Sequence, residues 1–166
     1  MTIRTGARYV RNVEAIEFRH SSESDLDVLY QIRYSVTENR LINMVIPREE
    51  VVRRCGEGGA WICLDNGKAV AFSIASMQPE PILWALFVRP SYEGRGIGQQ
   101  LMAYSLDWFK AQGATVVSLS TDPGTRADRF YQAQGWKRGG LNEAGEVVFT
   151  LDLRSTPGAR DLRYPH

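Results

Sequence analysis

Apolar residues recur along the chain at two different spacings, which predict an alternation of strands and helices. Between residues 26 and 36 they return every three or four positions, the period of a helix with one buried face, and cap-type residues precede them at 22–25. Alternation at residues 15–19 predicts a short strand before this helix. A proline at the first position opens a second predicted helix over residues 47–55, and Gly56 is placed to end it.

The strongest local pattern is a pair of apolar runs, residues 61–64 and 69–74, on either side of Asp65-Asn66-Gly67-Lys68. Asn-Gly suits a tight turn in which both central residues adopt a positive φ, because these two residue types tolerate that conformation best. The pattern therefore predicts a β-hairpin.

Strands and helices continue to alternate in the second half of the chain. Residues 82–88 are almost wholly apolar, as in a strand that is covered on both faces. The further predicted elements are a helix over 98–112, a strand over 115–120, a helix opened by Asp122-Pro123 and running to about 134, and a closing strand over 146–153. Antiparallel neighbours followed by a β-α-β-α-β order predict an α/β (α+β) fold, with a mixed, mostly antiparallel sheet between helices on both faces.

The length of 166 residues fits one domain, at roughly 100–200 residues per domain. With 43% hydrophobic and 23% charged residues the composition is that of an ordinary globular protein. We predict an N-terminal extension over residues 1–14, a domain over 15–153 and a C-terminal tail over 154–166, and we expect the tail to lie at the surface.

Composition also excludes several classes of function. Cys55 and Cys63 form no CxxC pair and the chain has only two histidines, so we expect neither a disulfide framework nor a metal site. The net charge of +1 argues against a strongly basic nucleic-acid-binding surface. No window approaches the ~20 apolar residues of a membrane span, and residues 1–12 lack the apolar segment of a secretion signal. We therefore expect a cytoplasmic protein without nucleic-acid or membrane partners.

Glycines at alternate positions follow the apolar run at 82–88. Gly94, Gly96 and Gly98 would let main-chain N–H groups converge without Cβ obstruction, and the next predicted helix would add its N-terminal N–H groups. Such a loop suits phosphate oxygens, although glycines alone are about as consistent with a structural turn. Leu101 stands where a third Rossmann glycine belongs, and no Gly-Lys-Ser/Thr follows, so the loop matches neither common nucleotide motif.

Two segments in this order resemble hallmarks of the GNAT superfamily of N-acetyltransferases. Residues 86–101 resemble its acetyl-CoA-binding motif, Arg/Gln-x-x-Gly-x-Gly/Ala, and residues 127–136 resemble its Ala-x-x-Phe-Tyr-x-x-x-Gly-Phe signature. With the hairpin and the apolar strand, the resemblance covers residues 15–153. It implies a single-domain GNAT fold, in which a V-shaped splay separates the two central parallel strands.

The resemblance also implies acetyl-CoA as the acyl donor, with no metal, and assigns its binding residues. In this family the strand before the glycine loop pairs with the pantetheine amides, a role that falls here on Leu86, Phe87 and Val88. The N–H groups that would hold the pyrophosphate belong to Gly94, Arg95, Gly96, Ile97, Gly98 and Gln99. Arg95 would add a mobile positive charge, or would be an ordinary solvated surface residue.

The chain departs from the family pattern at two positions. Glu93 replaces the Arg or Gln that begins the motif, and because a carboxylate does not help to bind phosphate we expect it to point outward. Gly124 stands where many members carry an Asn that contacts the pantetheine arm. That contact would be missing, or would come from Thr125 or Ser120.

Tyr131 matches the family tyrosine that protonates the departing CoA thiolate. Attack of an amine on the thioester expels a sulfur anion, and a phenol with a pKa of about 10 is neutral and can donate a proton to it. The alternative is a core tyrosine whose hydroxyl bonds to the backbone.

The general base must come from outside the central strand, because residues 82–88 contain no carboxylate where many members have a glutamate. Glu38, in the segment that lines the acceptor side in this family, is the preferred candidate, and Asp122 is the other. Glu38 could instead be a surface carboxylate paired with a neighbouring arginine.

The resemblance implies direct transfer of an acetyl group from acetyl-CoA to a primary amine of a small molecule, peptide or protein, without a covalent enzyme intermediate. A non-catalytic acyl-CoA-binding or regulatory module is the alternative from another class, and a longer acyl donor is a third interpretation. Residues 1–12 carry +3 and residues 154–166 carry +2, so the total of +1 leaves −4 on residues 13–153, which suits a cationic amine. The sequence leaves open whether the protein forms a homodimer.

Overall fold

The computed structural model describes residues 15–37 and 46–155. The strands are β1 (Ile16–His20), β2 (Ala60–Asp65), β3 (Lys68–Ser76), β4 (Ile82–Val88), β5 (Val116–Thr121), β6 (Lys137–Leu141) and β7 (Val147–Asp152). The helices are α1 (Leu26–Ser35), α2 (Arg48–Cys55), α3 (Ile97–Ala111) and α4 (Arg126–Ala133), with short 3-10 turns at Glu23–Asp25, Pro90–Tyr92 and Leu153–Ser155. The predicted extension over 1–14 and most of the predicted tail lie outside the described residues.

All seven strands form one sheet in the order β1-β2-β3-β4-β5-β7-β6. Neighbours from β1 to β4 are antiparallel, as are β5, β7 and β6. Only the central pair of the described strands, β4 and β5, is parallel. The predicted mixed, mostly antiparallel sheet is confirmed.

The two central strands separate almost as soon as they meet. Their one registered pair is Ile82 with Ser118, beside a 3.3 Å hydrogen bond from the Ser118 N–H to the Pro81 carbonyl. Trp84 is an extra residue in the pairing of β4 with β3, and a β-bulge of this kind bends a strand. The V-shaped splay implied by the family resemblance is confirmed.

Helices cover both faces of the sheet. On one, the α1/α2 face, the buried side chains of Leu26, Leu29, Ile32 and Val51 pack against β2, β3 and β4. On the other, the α3/α4 face, α3 and α4 pack against β2 to β5 and β7. The continuous apolar run of β4 fits its position between these two layers of helices; Leu83 is buried and the other six side chains are partly buried.

The predicted hairpin is confirmed in its turn as well as its strands. Asp65 pairs with Lys68, and the φ angles of Asn66 and Gly67 are 54° and 84°, so both central residues adopt the positive φ that Asn-Gly favours. Cys63 on β2 is fully buried, and burial raises the pKa of its thiol to about 12. It is a core thiol, as its apolar setting predicts.

One predicted boundary is wrong, and one strand was not predicted. The helix predicted to open at Asp122-Pro123 begins at Arg126, because the Thr125 hydroxyl caps it by accepting a 3.2 Å hydrogen bond from the Asp128 N–H. Strand β6 was not predicted at all, because its residues, all exposed, carry no alternating apolar pattern. It forms through backbone pairing with β7.

Candidate active site

A cavity of about 640 Å³ lies where β4 and β5 separate. Its walls come from both faces of the sheet: α1 and Val51 of α2 contribute on one side, and the glycine loop, the start of α3 and α4 on the other. Residues 82–88 and 119–122 line its middle. The splay therefore leaves an opening between β4 and β5 that is lined by residues from both faces of the sheet.

The edge of β4 presents main-chain groups to this cavity. The Arg89 N–H bonds to the Val70 carbonyl at 2.9 Å, and hydrogen-bonded pairs alternate along an antiparallel ladder. Phe87 therefore exchanges hydrogen bonds with Phe72 of β3, whereas Leu86 and Val88 direct their N–H and C=O groups toward the side from which β5 has diverged. This edge can accept an extended, amide-bearing ligand as an added strand.

The glycine loop, residues 89–96, connects β4 to the N-terminus of α3. Gly94 and Gly96 have φ angles of 78° and 82°, which favour glycine, and Gly96 is the N-cap residue. At Gly98 a Cβ would lie 3.5 Å from the Phe130 ring, so α3 and α4 approach closely there. Gly94, Gly96, Ile97, Gly98 and Gln99 all line the cavity. The N–H groups in the first turn of α3 have no intrahelical partners and lie at the positive end of the helix dipole. They are therefore suited to bind an anion.

The glycine loop is tied to the β2–β3 hairpin. The Tyr92 hydroxyl donates a 2.6 Å hydrogen bond to Asp65, and the Arg89 Nε donates to the Ala69 carbonyl at 3.0 Å. Arg95 is exposed, with its guanidinium 4.6 Å from the centre of the Tyr92 ring. The Arg95 side chain thus lies against Tyr92, and Arg95 is not among the described residues that line the cavity.

Glu93 does not point outward as expected. It is half-buried in the cavity wall, with its Oε1 3.3 Å from the Arg126 Nε. Arg126, in the first turn of α4, also lines the cavity. This ion pair connects the glycine loop to α4 on the side of the cavity that the loop residues line.

Tyr131 lies in the cavity wall on the α3/α4 face and is 6% exposed. Its ring packs against those of Phe149 and Trp136, each with its centre 5.7 Å away. Burial raises its pKa above the usual value of about 10, so the phenol is neutral near pH 7 and keeps its proton for donation. Ala127, one turn earlier on α4, also lines the cavity.

Two buried carboxylates line the cavity, and only one was a candidate from the sequence. Asp122 is a predicted candidate; Glu146, just before β7, was considered only as the start of a strand. Glu146 accepts a 3.1 Å hydrogen bond from the Ser120 hydroxyl. No motif marks it, since only the pairing of β5 with β7 brings it to the cavity. Glu38, the preferred candidate, lies outside the described residues.

The two hydroxyls considered as replacements for the family Asn at Gly124 already have partners. Ser120 donates to Glu146, and Thr125 donates to the Asp122 carbonyl at 2.8 Å while it caps α4. Gly124 itself has a φ of 78°, and its N–H donates to Asp128 at 2.9 Å. Its role in the structure is to form the tight turn into α4.

Within residues 15–37 and 46–155 no group of three or more His, Cys, Asp or Glu side chains is arranged to hold a metal ion. The same residues include no helix with the length and apolar character needed to cross a bilayer.

Comparison with known proteins gives a consistent result. The sequence model of the acetyltransferase (GNAT) family matches residues 24–136. A protein of Prochlorococcus marinus, named as an uncharacterized N-acetyltransferase similar to ycf52, is 43% identical over 54 residues. That match covers 32% of this chain and 29% of the relative, so the similarity spans less than a third of either protein.

Solved structures share the fold at low sequence identity. The PaiA N-acetyltransferase of Thermoplasma acidophilum, crystallised with coenzyme A, superposes with a TM-score of 0.69 at 16% identity, over 82% of this chain and 98% of that one. An acetyltransferase of Salmonella typhimurium, YncA, solved with acetyl-CoA, also superposes with a TM-score of 0.69, at 12% identity over 86% of this chain and 96% of that one.

Proposed function

We propose that this chain, which belongs to the acetyltransferase (GNAT) family, transfers the acetyl group of acetyl-CoA directly to a primary amine. The observation that carries the proposal is the splay of β4 from β5, which opens into a cavity with an amide-rich glycine loop on one side. A buried, neutral tyrosine lies in the same wall. Relatives in fold bind coenzyme A or acetyl-CoA, and this cavity has the groups that such a ligand needs.

The donor substrate would bind along two elements. Its pantetheine amides would pair with the main-chain groups of Leu86 and Val88, with Phe87 between them in the strand. Its pyrophosphate would accept hydrogen bonds from the N–H groups of the loop and of the first turn of α3, residues 94–99. Arg95, an exposed member of this loop, would contribute positive charge near the pyrophosphate.

The transfer step needs one proton acceptor and one proton donor. The acceptor ammonium first gives up a proton to a carboxylate; the free amine then attacks the thioester carbonyl, forming the C–N bond. The C–S bond breaks, the thiolate takes the phenolic proton of Tyr131, and the second proton of the amine nitrogen returns to the tyrosinate, which leaves a neutral amide and a free thiol. Glu38, proposed as the base from its sequence position, and Asp122, in the cavity wall, are carboxylates available for the first step.

Replacement of Tyr131 by Phe tests the acid role. We expect kcat to fall by about 10²–10⁴, because the leaving thiolate loses its proton donor, while the Kd of acetyl-CoA stays unchanged. Release of free thiol in the presence of a primary-amine panel measures kcat, and calorimetric titration measures the Kd of acetyl-CoA. Tyr34→Phe, at an exposed position of α1, is the matched control. A Tyr131→Phe variant as fast as wild type would rule out the acid role.

The alternative function is a non-catalytic acyl-CoA-binding module. It is favoured by one observation, the lack of any acidic side chain on β4. The same experiment separates the two functions, because a binding module would bind acetyl-CoA and release no thiol with any amine of the panel.

A further inference from the structure

The α1/α2 side of the cavity has a composition that suits an apolar ligand. Because the glycine loop and Tyr131 belong to the opposite face, this side is where a second substrate would approach the splay. Its wall is formed mainly by apolar and aromatic side chains: Leu29, Tyr30, Val36, Ile46, Phe72 and Phe87. Arg33, a cation, also lines this wall; it is 6% exposed, and its guanidinium lies 6.0 Å from the centre of the Phe87 ring.

Glu146 lies at the far side of the same opening. Leu119 and Val147 point into the core on the α3/α4 face, so Ser120, which alternates with Leu119, points to the α1/α2 side. The hydrogen bond from Ser120 holds the Glu146 carboxylate on that side. The backbone of Glu146 is fixed as well, since its N–H donates to Asn142 Oδ1 at 2.9 Å and its carbonyl accepts from the Asn142 N–H at 2.8 Å.

The partners of this carboxylate are neutral. Glu146 is 9% exposed, and its Oε1 accepts from the Ser120 hydroxyl at 3.1 Å and from the Asn142 amide at 3.4 Å. In the part of the chain that the structure describes, none of the salt bridges includes Glu146. A buried carboxylate whose described partners are all neutral can pair with a ligand ammonium, which would offset the cost of its burial.

We propose that the acceptor is a primary monoamine on an apolar or aromatic body, and that Glu146 receives its ammonium group. The inference rests on the proposed acetyltransferase function and adds the class of acceptor. The ammonium lies against the carboxylate, where the amine faces the splay, while the apolar body packs on the α1/α2 wall. A second ammonium at the other end of the acceptor would lose its hydration against that wall, beside a guanidinium, and is therefore disfavoured.

Matched probes test the class of acceptor on the wild-type protein. Hexylamine and hexane-1,6-diamine have the same carbon chain and differ in one terminal amine. We expect kcat/KM for hexylamine to exceed that for the diamine by at least about tenfold, with phenethylamine comparable to hexylamine. Equal rates, or a preference for the diamine, would overturn the assignment of an apolar monoamine.

Variants test the role of Glu146. Glu146→Gln keeps the shape and removes the charge, so we expect KM for hexylamine to rise about tenfold or more while the Kd of acetyl-CoA is unchanged. Glu143→Gln, exposed on the same turn, is the matched control and is expected to behave as wild type. Glu38→Gln and Asp122→Asn, measured in parallel, show whether another carboxylate has this role.

The outcomes separate the inference from the function it rests on. If wild type binds acetyl-CoA but releases no thiol with any amine, the acetyltransferase function fails. If it acetylates hexylamine and Glu146→Gln does so with an unchanged KM, only the role of Glu146 fails. The unchanged Kd of acetyl-CoA and a circular dichroism melt establish that the variant is folded. The comparison of hexylamine with the diamine needs no variant and decides the acceptor class by itself.

Discussion

Glu93 occupies the position at which the family motif has Arg or Gln, and its partner in the structure is a cation from another element. Arg126 Nε lies 3.3 Å from the Glu93 carboxylate, and a Cβ on Gly94 would lie 4.0 Å from the second guanidinium nitrogen. α4 therefore places a cation next to the loop position where the motif would have one, and this cation is paired with Glu93.

This geometry predicts that Arg126 strengthens the binding of coenzyme A through its phosphates. Arg126→Ala should raise the Kd of acetyl-CoA about five- to twentyfold, a modest effect because the side chain is half exposed. S-acetylpantetheine, which lacks the pyrophosphate, should bind both proteins equally. Arg129→Ala removes an exposed arginine from the same helix and should leave both Kd values unchanged. If Arg126→Ala weakened the binding of S-acetylpantetheine as much as that of acetyl-CoA, Arg126 would act through the fold and not through the phosphates.

Among the secondary-structure elements, β6 is the least expected, and an ion pair with α4 supplements its backbone pairing with β7. Arg138 of β6 donates two hydrogen bonds of 2.9 Å to Asp128 of α4, and the same carboxylate accepts from the Gly124 N–H and from Gln132. These contacts, the bond from Arg138 most of all, hold the pKa of Asp128 well below its usual range. The sheet edge is thus fixed by a buried carboxylate rather than by apolar side chains.

Asp128→Asn should therefore destabilise the protein, by about 2–3 kcal/mol, because hydrogen bonds to a buried charge are lost. A carboxyl group whose pKa is lower in the folded than in the unfolded state stabilises the fold above the unfolded pKa of about 4, and this stabilisation is lost as pH falls below that value. Urea unfolding from pH 7 to pH 3 should show a smaller loss of stability for the variant. Asp107→Asn, exposed on α3, is the control, and an identical pH dependence for Asp128→Asn and wild type would contradict the assignment.

Local signals predicted most elements, whereas contacts between distant segments decided the rest. The Asn66-Gly67 turn and the apolar run of β4 are dictated by neighbouring residues, and both were predicted. The start of α4 was misplaced because a Pro at the first helical position is a common signal, and here the hydroxyl of Thr125 provides the cap instead. Glu146 could not be recognised as a cavity residue, because its position depends on the long-range pairing of β5 with β7.

At the scale of the whole molecule, the sheet consists of two antiparallel halves, β1–β4 and β5–β7–β6, joined along the strands at one registered pair. The order of elements predicted a mixed sheet, and the family resemblance supplied the splay. Neither specified that β7 would lie between β5 and β6, since strand order depends on packing across the whole domain. Because β4 and β5 pair at one position, the main-chain groups of β4 that face the splay have no partner on β5. A ligand that inserts between the two strands would complete the sheet.

Insertion of acetyl-CoA into this seam should therefore change the exchange of specific backbone amides. In the free protein we expect fast hydrogen exchange at Leu86 and Val88, whose N–H groups face the splay, and slow exchange at Phe87, which pairs with β3. Acetyl-CoA at 100 times its Kd should add about 2.7 kcal/mol of stability by mass action and slow exchange at Leu86 and Val88, with little change at Phe87.

S-acetylpantetheine is the control ligand for this measurement, because it retains the amides that would pair with β4 and lacks the phosphates that would bind the loop. At saturation it should slow the same two β4 amides without protecting residues 94–99. Protection by acetyl-CoA at the glycine loop alone, with Leu86 and Val88 unchanged, would show that the ligand is held by its phosphates and does not complete the sheet. Protection of both regions by acetyl-CoA would mean that the ligand extends from the glycine loop into the splay. From that arrangement the acetyl group can be transferred directly to an amine on the α1/α2 face.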